Sequence, residues 1–318
     1  MRTVSTTRRL SALVGLLFLL AAACGGKSSG GGTSAGGGGP LKGATYTIGG
    51  KEFTEQKILC EITAQALEAA GAKVKRQCGL SGTSTVRAAL ISGRIDGYWE
   101  YTGTGYITLL GHTKPIPDSQ QQYEAVAKED LAKNKIRWLP PAPFDDTYGI
   151  GVRANNLTNV QTLSDYGQLA SSNPGQAKMC VATEFVNRDD GLPGLEKAYG
   201  FKLSGGNLAT LDEGAIYNSI KKGNPCNFGE IFTTDGRITG LHLRVLQDDK
   251  KFFAIYNASF TIPESVYQAH PGIAKVISQI AKALDTATMQ QLNADVDING
   301  DDPAAVAKKF LKDKGIIK

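Results

Sequence analysis

The sequence predicts an α/β protein of two similar lobes. Three observations carry that expectation. Strand-like and helical stretches alternate along the body, the alternation repeats with matching local sequence, and four helical stretches close the chain. In the first copy residues 45–48 are β-prone. Residues 54–70 then place apolar side chains three and four apart, and Gly71 ends the run. Residues 73–77 form the next strand, residues 84–91 a helix stopped by Ser92 and Gly93, and residues 95–99 a third strand. Such an order favours a largely parallel sheet flanked by helices.

The second copy follows the same plan. Strands fall at residues 177–182, 207–211 and 228–232, and helices at residues 191–199 and 214–221. TIGGKEFTE at 47–55 parallels CVATEFVNR at 180–188, and ALISGRIDGYWEYTGTG at 89–105 parallels SIKKGNPCNFGEIFTTDG at 219–236. Helices follow at residues 264–268, 271–284, 286–294 and 302–314, with Pro271 and Pro303 at first-turn positions. They are expected to cap the first lobe. That lobe is then discontinuous, residues 44–147 plus 257–318, and residues 148–256 form the second. Two crossings, near 147–153 and 254–259, join them.

The N-terminus reads as an export address. Arg2, Arg8 and Arg9 precede an uncharged, mainly apolar run at 10–20, and three alanines lead into Cys24. This marks residues 1–23 as a signal segment, too short in its apolar part to span a membrane. The arrangement resembles a bacterial lipobox, which implies lipidation of Cys24 and an extracytoplasmic body anchored to the cell membrane. Residues 24–43 are almost all Gly, Ser and other small residues, a flexible tether with a reach of about 25 Å.

Charge excludes more than it suggests. The formal net charge is +5, three units of which are the arginines ahead of Cys24, and no basic stripe suited to nucleic acid remains. Four further cysteines, Cys60, Cys78, Cys180 and Cys226, favour two disulfides in an exported chain. Of three connectivities we expect Cys60 with Cys78 and Cys180 with Cys226, since each pair then lies within one lobe and leaves the lobes free to move. The three histidines are isolated and no CxxC accompanies the cysteines, so neither a metal nor another cofactor is expected.

In open α/β sheets, ligands sit beyond the carboxyl ends of strands. Lys51, Thr83 and the segment 99–104 occupy such places in the first copy; Glu184, Arg188, Asp212, Glu213 and the segment 232–236 do so in the second. Lys51 and Arg188 beside helix N-termini suit a carboxylate. Tyr101, Tyr148, Phe232 and Tyr256 come from four separate loops, and converging rings suit a quaternary ammonium. Arg188 also lies at helical spacing from Glu184, so a plain ion pair competes with a ligand role. An exported hydrolase is the rival from another class. Glu52, Glu55 and Glu100 could supply carboxylates, but no GxSxG or HExxH is present and nothing pairs them.

The motifs GGKEFTEQ, GTSTVRAALISGRIDGYWEYTGTG, DDTYGIGVR, ATEFVNRDDGLPGLEKAYG, FTTDGRI and DDKKFFAIYNA occur in this order between residues 45 and 310. Together they resemble the glycine betaine/carnitine/choline-binding proteins of ABC osmoprotectant importers. The resemblance implies a type II periplasmic-binding-protein fold that closes on a small solute and hands it to an ABC permease, working as a monomer. It implies an aromatic cage of Tyr101, Tyr148, Phe232 and Tyr256. Lys51, Arg188 and Thr104 are then partners of the ligand carboxylate, with Gln56, Thr83 and Glu184 in support. Where relatives usually carry Tyr ahead of Thr-Asp-Gly, this chain has Phe232. That loss of a hydroxyl, with Trp99 near Tyr101, leaves a flat aromatic or phenolic solute as the alternative.

Overall fold

The computed structural model describes residues 39–318. The expected signal segment, Cys24 and most of the tether lie outside the described residues. Packing begins slightly before residue 44: Leu41 is buried, and its amide donates to the Ala70 carbonyl.

The first lobe opens with β1 (Thr45–Lys51), α1 (Thr54–Ala69), β2 (Lys73–Leu80), α2 (Thr83–Ile91) and β3 (Tyr98–Tyr101). A π-helical turn over Thr104–Leu109, α3 (Ser119–Asn134) and β4 (Ile136–Trp138) follow. The second lobe runs through β5 (Tyr148–Arg153), α4 (Leu163–Ser172), β6 (Met179–Val181), α5 (Thr183–Asn187) and α6 (Leu192–Tyr199). It continues with β7 (Leu208–Thr210), α7 (Glu213–Lys222), β8 (Phe228–Phe232), α8 (Arg237–Gly240) and β9 (Leu243–Val245). The chain then returns as β10 (Ala258–Pro263), α9 (Glu264–Ala269), α10 (Ile273–Ala283), α11 (Thr286–Asp297) and α12 (Pro303–Asp313).

The expectation of largely parallel sheets holds for half of each. In the first lobe β1 is parallel to β2 and touches Gly97, just ahead of β3, in parallel. β10 lies between β3 and β4 and is antiparallel to both. The second sheet has the order β7-β6-β8-β5-β9, parallel around β6 and antiparallel around β5. The cause is the crossing itself. Parallel neighbours need a crossover connection, which the helices between β1 and β2 and between β6, β7 and β8 supply. β5 and β10 instead enter their sheets from the hinge, towards which the parallel strands point.

The two crossings lie side by side. Asp145 and Asn257 form an antiparallel bridge, the Tyr256 amide donates to Asp145 Oδ1 at 2.7 Å, and Thr147 Oγ1 donates to the Ala254 carbonyl at 2.7 Å. Asn257 Nδ2 adds a bond to the Phe144 carbonyl at 2.8 Å. α10, α11 and α12 return to pack on α1. In α10 the buried positions Ile273, Val276, Ile277 and Ile280 recur at three- and four-residue steps, the stripe a core-facing helix needs.

The third strand begins three residues later than expected. Residues 95–97 attach to β1 irregularly: the Thr47 amide donates to Asp96 Oδ2 at 2.7 Å, and Gly49 N to the Gly97 carbonyl at 2.9 Å. Gly97 is needed there because a Cβ would lie 2.3 Å from the Phe260 ring. Trp99 is a core residue. It is 1% exposed, donates its indole N–H to Thr63 Oγ1 at 2.8 Å and meets Phe260 edge-on.

Cys60 is bonded to Cys78 and Cys180 to Cys226, one bridge in each lobe. Their loops differ, with sequence separations of 18 and 46. Loop-closure entropy predicts a loss of about 3 kcal/mol when the first is replaced by serines and about 4 kcal/mol for the second. Urea denaturation of the two double variants measures this. A larger loss from the shorter loop contradicts it.

Candidate functional site

The strand ends of both lobes face one cleft of about 760 Å³. Its walls come from the β1–α1 turn, the start of α2, α5, the start of α7 and the segment after β8. A much smaller recess of about 20 Å³, room for about one water, lies deeper against Lys51, Tyr101, Thr104, Tyr148, Arg188 and Tyr256.

Three of the four expected rings meet. The Tyr148 centroid lies 5.2 Å from Phe232 and 5.5 Å from Tyr256, the latter edge-on. Tyr256 fits because residue 103 is glycine; a Cβ there would come within 2.6 Å of its ring. Tyr101 joins through a residue that sequence reasoning missed. Phe53, the residue before α1, stacks on Phe232 at 5.2 Å and on Tyr101 at 6.3 Å. Its position inside GGKEFTEQ was the available signal. The spacing of α1 could not separate a core Phe from one standing at the cleft.

The expected cations are present and already engaged. Lys51 Nζ donates to Glu100 Oε1 at 2.8 Å and stands 5.3 Å from the Tyr101 centroid. Arg188 grips both oxygens of Asp190 at 2.7 and 2.6 Å and donates to Glu184 Oε1 at 2.9 Å. Its guanidinium lies 5.5 Å from the Tyr148 centroid, and Tyr256 donates its hydroxyl to Asp190 at 2.5 Å. The helical-spacing ion pair with Glu184 therefore exists alongside a position in the cleft wall. Burial by itself raises the Glu184 carboxyl, but Lys51, Arg188 and the bonds from Thr83 outweigh it and hold the group at about 2.

Several side chains tie the lobes together. Thr83 Oγ1 donates to Glu184 Oε1 at 2.6 Å, and Arg188 Nη2 reaches Thr104 Oγ1 at 3.3 Å. Gln56 does not reach the cleft. It sits behind Tyr101, donating to that hydroxyl at 3.0 Å and to the Trp99 carbonyl at 2.9 Å, and so positions the ring. The three glutamates weighed for hydrolysis are each occupied. Glu52 accepts from the Gly82 amide, Glu100 holds Lys51 and the Tyr98 hydroxyl, and Glu55 accepts from Tyr101.

Glu55 belongs to a second lobe-spanning cluster, to which the sequence assigned no role. Thr234 Oγ1 lies 2.6 Å from Glu55 Oε2 and 2.5 Å from Asp146 Oδ1, and Asn293 bonds both Glu55 and the Thr234 carbonyl. One hydroxyl has one proton to give, so only one of these two short contacts is donated by Thr234, and the other calls for a proton on the carboxyl. Burial, and then the charge of Glu55, push the Asp146 carboxyl well above its ordinary value. Burial likewise raises Glu55, opposed by its bonds from Thr234, Tyr101 and Asn293.

Comparison with known proteins agrees with this architecture. The profile of the family described as the substrate-binding domain of ABC-type glycine betaine transport systems matches residues 44–313. The chain is 37% identical over 281 residues to a glycine-betaine-binding protein of Pseudomonas aeruginosa, covering 86% of this chain and 89% of that one. It is 31% identical over 273 residues to the ergothioneine transport permease/ergothioneine binding protein EgtU of Helicobacter pylori, covering 85% of this chain and 47% of that protein. The solved structure of apo YehZ from Escherichia coli aligns with a TM-score of 0.64 at 34% identity, over 86% of this chain and 99% of that one.

Asp146 carries a sign-definite prediction. A carboxyl whose folded pKa is raised binds a proton on folding, so it costs stability progressively as pH climbs above its unfolded value near 4. Asp146→Asn removes that cost. Its melting temperature is expected to rise relative to the parent protein as pH increases from 4 to 7, with the gap widening upwards. A gap that narrows with pH contradicts a raised Asp146.

Proposed function

Because the chain belongs to the family of substrate-binding domains of ABC-type glycine betaine transport systems, we propose that it traps a quaternary-ammonium solute of the glycine betaine, choline or carnitine class between its lobes and delivers it to a membrane permease. One observation carries the reading to this chain: the Tyr148 ring lies 5.2 Å from Phe232 and 5.5 Å from Tyr256, the three coming from separate segments around the hinge, beside the deep recess of an interlobe cleft. Each ring face well placed over an ammonium contributes about 0.5–2 kcal/mol, and the burial of the rings keeps that attraction from being diluted by water.

The recess is too small to admit such a solute as it stands. Entry proceeds by separation of the lobes about the paired crossings, breaking the bonds from Thr83 to Glu184, from Arg188 to Thr104 and from Thr234 to Glu55. Re-formation of those bonds around the solute favours the closed form, which is the one presented to the permease. No chemical step is needed, so the role is non-catalytic. Lipidation of Cys24 and the Gly/Ser tether hold the body at the extracytoplasmic face of the cell membrane as a monomer.

A second reading, a solute with a flat ring, is favoured by Phe232, which lacks the hydroxyl usual in the resembling motifs, and by the relative named as an ergothioneine binding protein. Trp99, its other motive at the level of sequence, faces the core and drops out.

Titration calorimetry on the soluble body is expected to show binding of at least one of glycine betaine, choline and carnitine. Tyr256→Ala is expected to weaken it about 2- to 30-fold, the range of one cation–π contact. Heat only with ergothioneine or uncharged aromatics selects the second reading; none with any solute removes both. Fractionation tests the anchor: Cys24→Ser is expected to move the protein from the membrane to the soluble fraction, and an unchanged membrane pool contradicts lipidation.

A further inference from the structure

The cleft has a charge pattern that the expectation of a ligand carboxylate does not explain. Eight of its lining residues are acidic and three are basic. The two basic side chains at the recess are spent: Lys51 on Glu100, and Arg188 on both oxygens of Asp190 and on Glu184. An incoming carboxylate would have to displace buried carboxylates from both cations, and it would enter a field of its own sign.

One acidic side chain stands apart. Glu213, in the first turn of α7, lines both the large cleft and the ring-walled recess, and its Oε2 is buried with no hydrogen-bond partner among the described residues. The other buried unpartnered carboxylate oxygen, on Asp297, has Arg237 at 3.4 Å. An unsatisfied buried acceptor costs about 1–3 kcal/mol, a cost that persists where something other than the protein satisfies the group.

We propose that Glu213 is the specificity-determining residue of this site: its free oxygen accepts from the solute's own donor, which selects a quaternary ammonium cation that carries a hydroxyl and no carboxylate. Choline is the simplest probe of that class. This inference rests on the reading of the cleft as a quaternary-ammonium site and narrows it. The rings take the methylated head, and Glu213 balances its positive charge and accepts a hydrogen bond from the hydroxyl.

The electrostatics of Glu213 give the inference a second readout. Burial, then Glu52 and Glu184, raise its carboxyl to about 8, with Lys51 and Arg237 opposing; Glu230 on β8 faces the same charge. A cation arriving beside Glu213 favours the ionised form, so binding expels a proton. Affinity for the cation is therefore lowest at acid pH, rises as pH approaches 8 and levels off above it.

The test is titration calorimetry of the wild-type body and of Glu213→Gln with choline and glycine betaine, between pH 6 and 9, in buffers of different ionisation enthalpy. Choline is expected to bind wild type at least about tenfold more tightly than glycine betaine at pH 8, and to release protons in doing so. Its affinity is expected to rise about tenfold or more from pH 6 to 8. Glu213→Gln should weaken choline about tenfold or more, abolish the pH dependence and proton release, and leave glycine betaine unchanged or tighter. Glycine betaine preferred by wild type, or choline binding indifferent to the substitution, overturns the role of Glu213 while the quaternary-ammonium reading stands. Binding of neither solute by wild type overturns the role of Glu213, and overturns the quaternary-ammonium reading as well when carnitine is also silent. A variant that melts no lower than wild type, read in parallel, separates a lost contact from a damaged fold.

Discussion

The site is organised around one buried guanidinium. Arg188 is 6% exposed, and at that burial an unpaired charge is prohibitive, so the chain must bring it acceptors. Asp190 supplies two and Glu184 a third, while Thr104 adds a bond from the other lobe. These partners fix more than the arginine. Asp190 also receives the Tyr256 hydroxyl, and the guanidinium stands off the Tyr148 ring, so two of the three contacting rings take their orientation from Arg188 and its partners. Lys51 with Glu100 plays the corresponding part for Tyr101 in the first lobe. The ionic layer is the wall on which the aromatic surface is mounted.

That view changes the meaning of the basic residues. A lysine and an arginine at strand ends look, in sequence, like ligands for an acid. In the fold their carboxylate partners come from distant segments, as with Glu100 for Lys51, or from a turn that brings Asp190 back onto Arg188. The recess therefore keeps its rings and loses its free positive charge. The acidic excess left behind is consistent with a cationic solute, and the side-chain bonds across the cleft give closure a defined end point.

Much of the fold was legible because it rests on periodicity and on local stops. The alternation around Gly71 and Gly93, the amphipathic stripe of residues 273–280 and the capping prolines are local signals, and the elements fall close to where those signals put them. The cysteine pairing was legible because only one connectivity keeps each bridge within a lobe. Antiparallel entry of β5 and β10 was not, since direction is decided by where the chain crosses the hinge. The late start of β3 turns on a side-chain bond from Asp96 that mimics strand pairing.

The site divides in the same way. Tyr148, Phe232 and Tyr256 could be named because their motifs sit at strand ends and hinges, where a fold of this kind gathers them. Phe53 could not be named, and Glu213 and Thr234 could be placed at a strand end but not given a role, because those roles arise from contacts between segments far apart in the sequence. The most direct measurement is a crystal structure of the soluble body with a bound quaternary-ammonium solute. The account predicts the methylated nitrogen within about 6 Å of the Tyr148, Phe232 and Tyr256 ring centroids, enclosed by both lobes. A solute held elsewhere, or gripped by one lobe with those rings turned away, contradicts it.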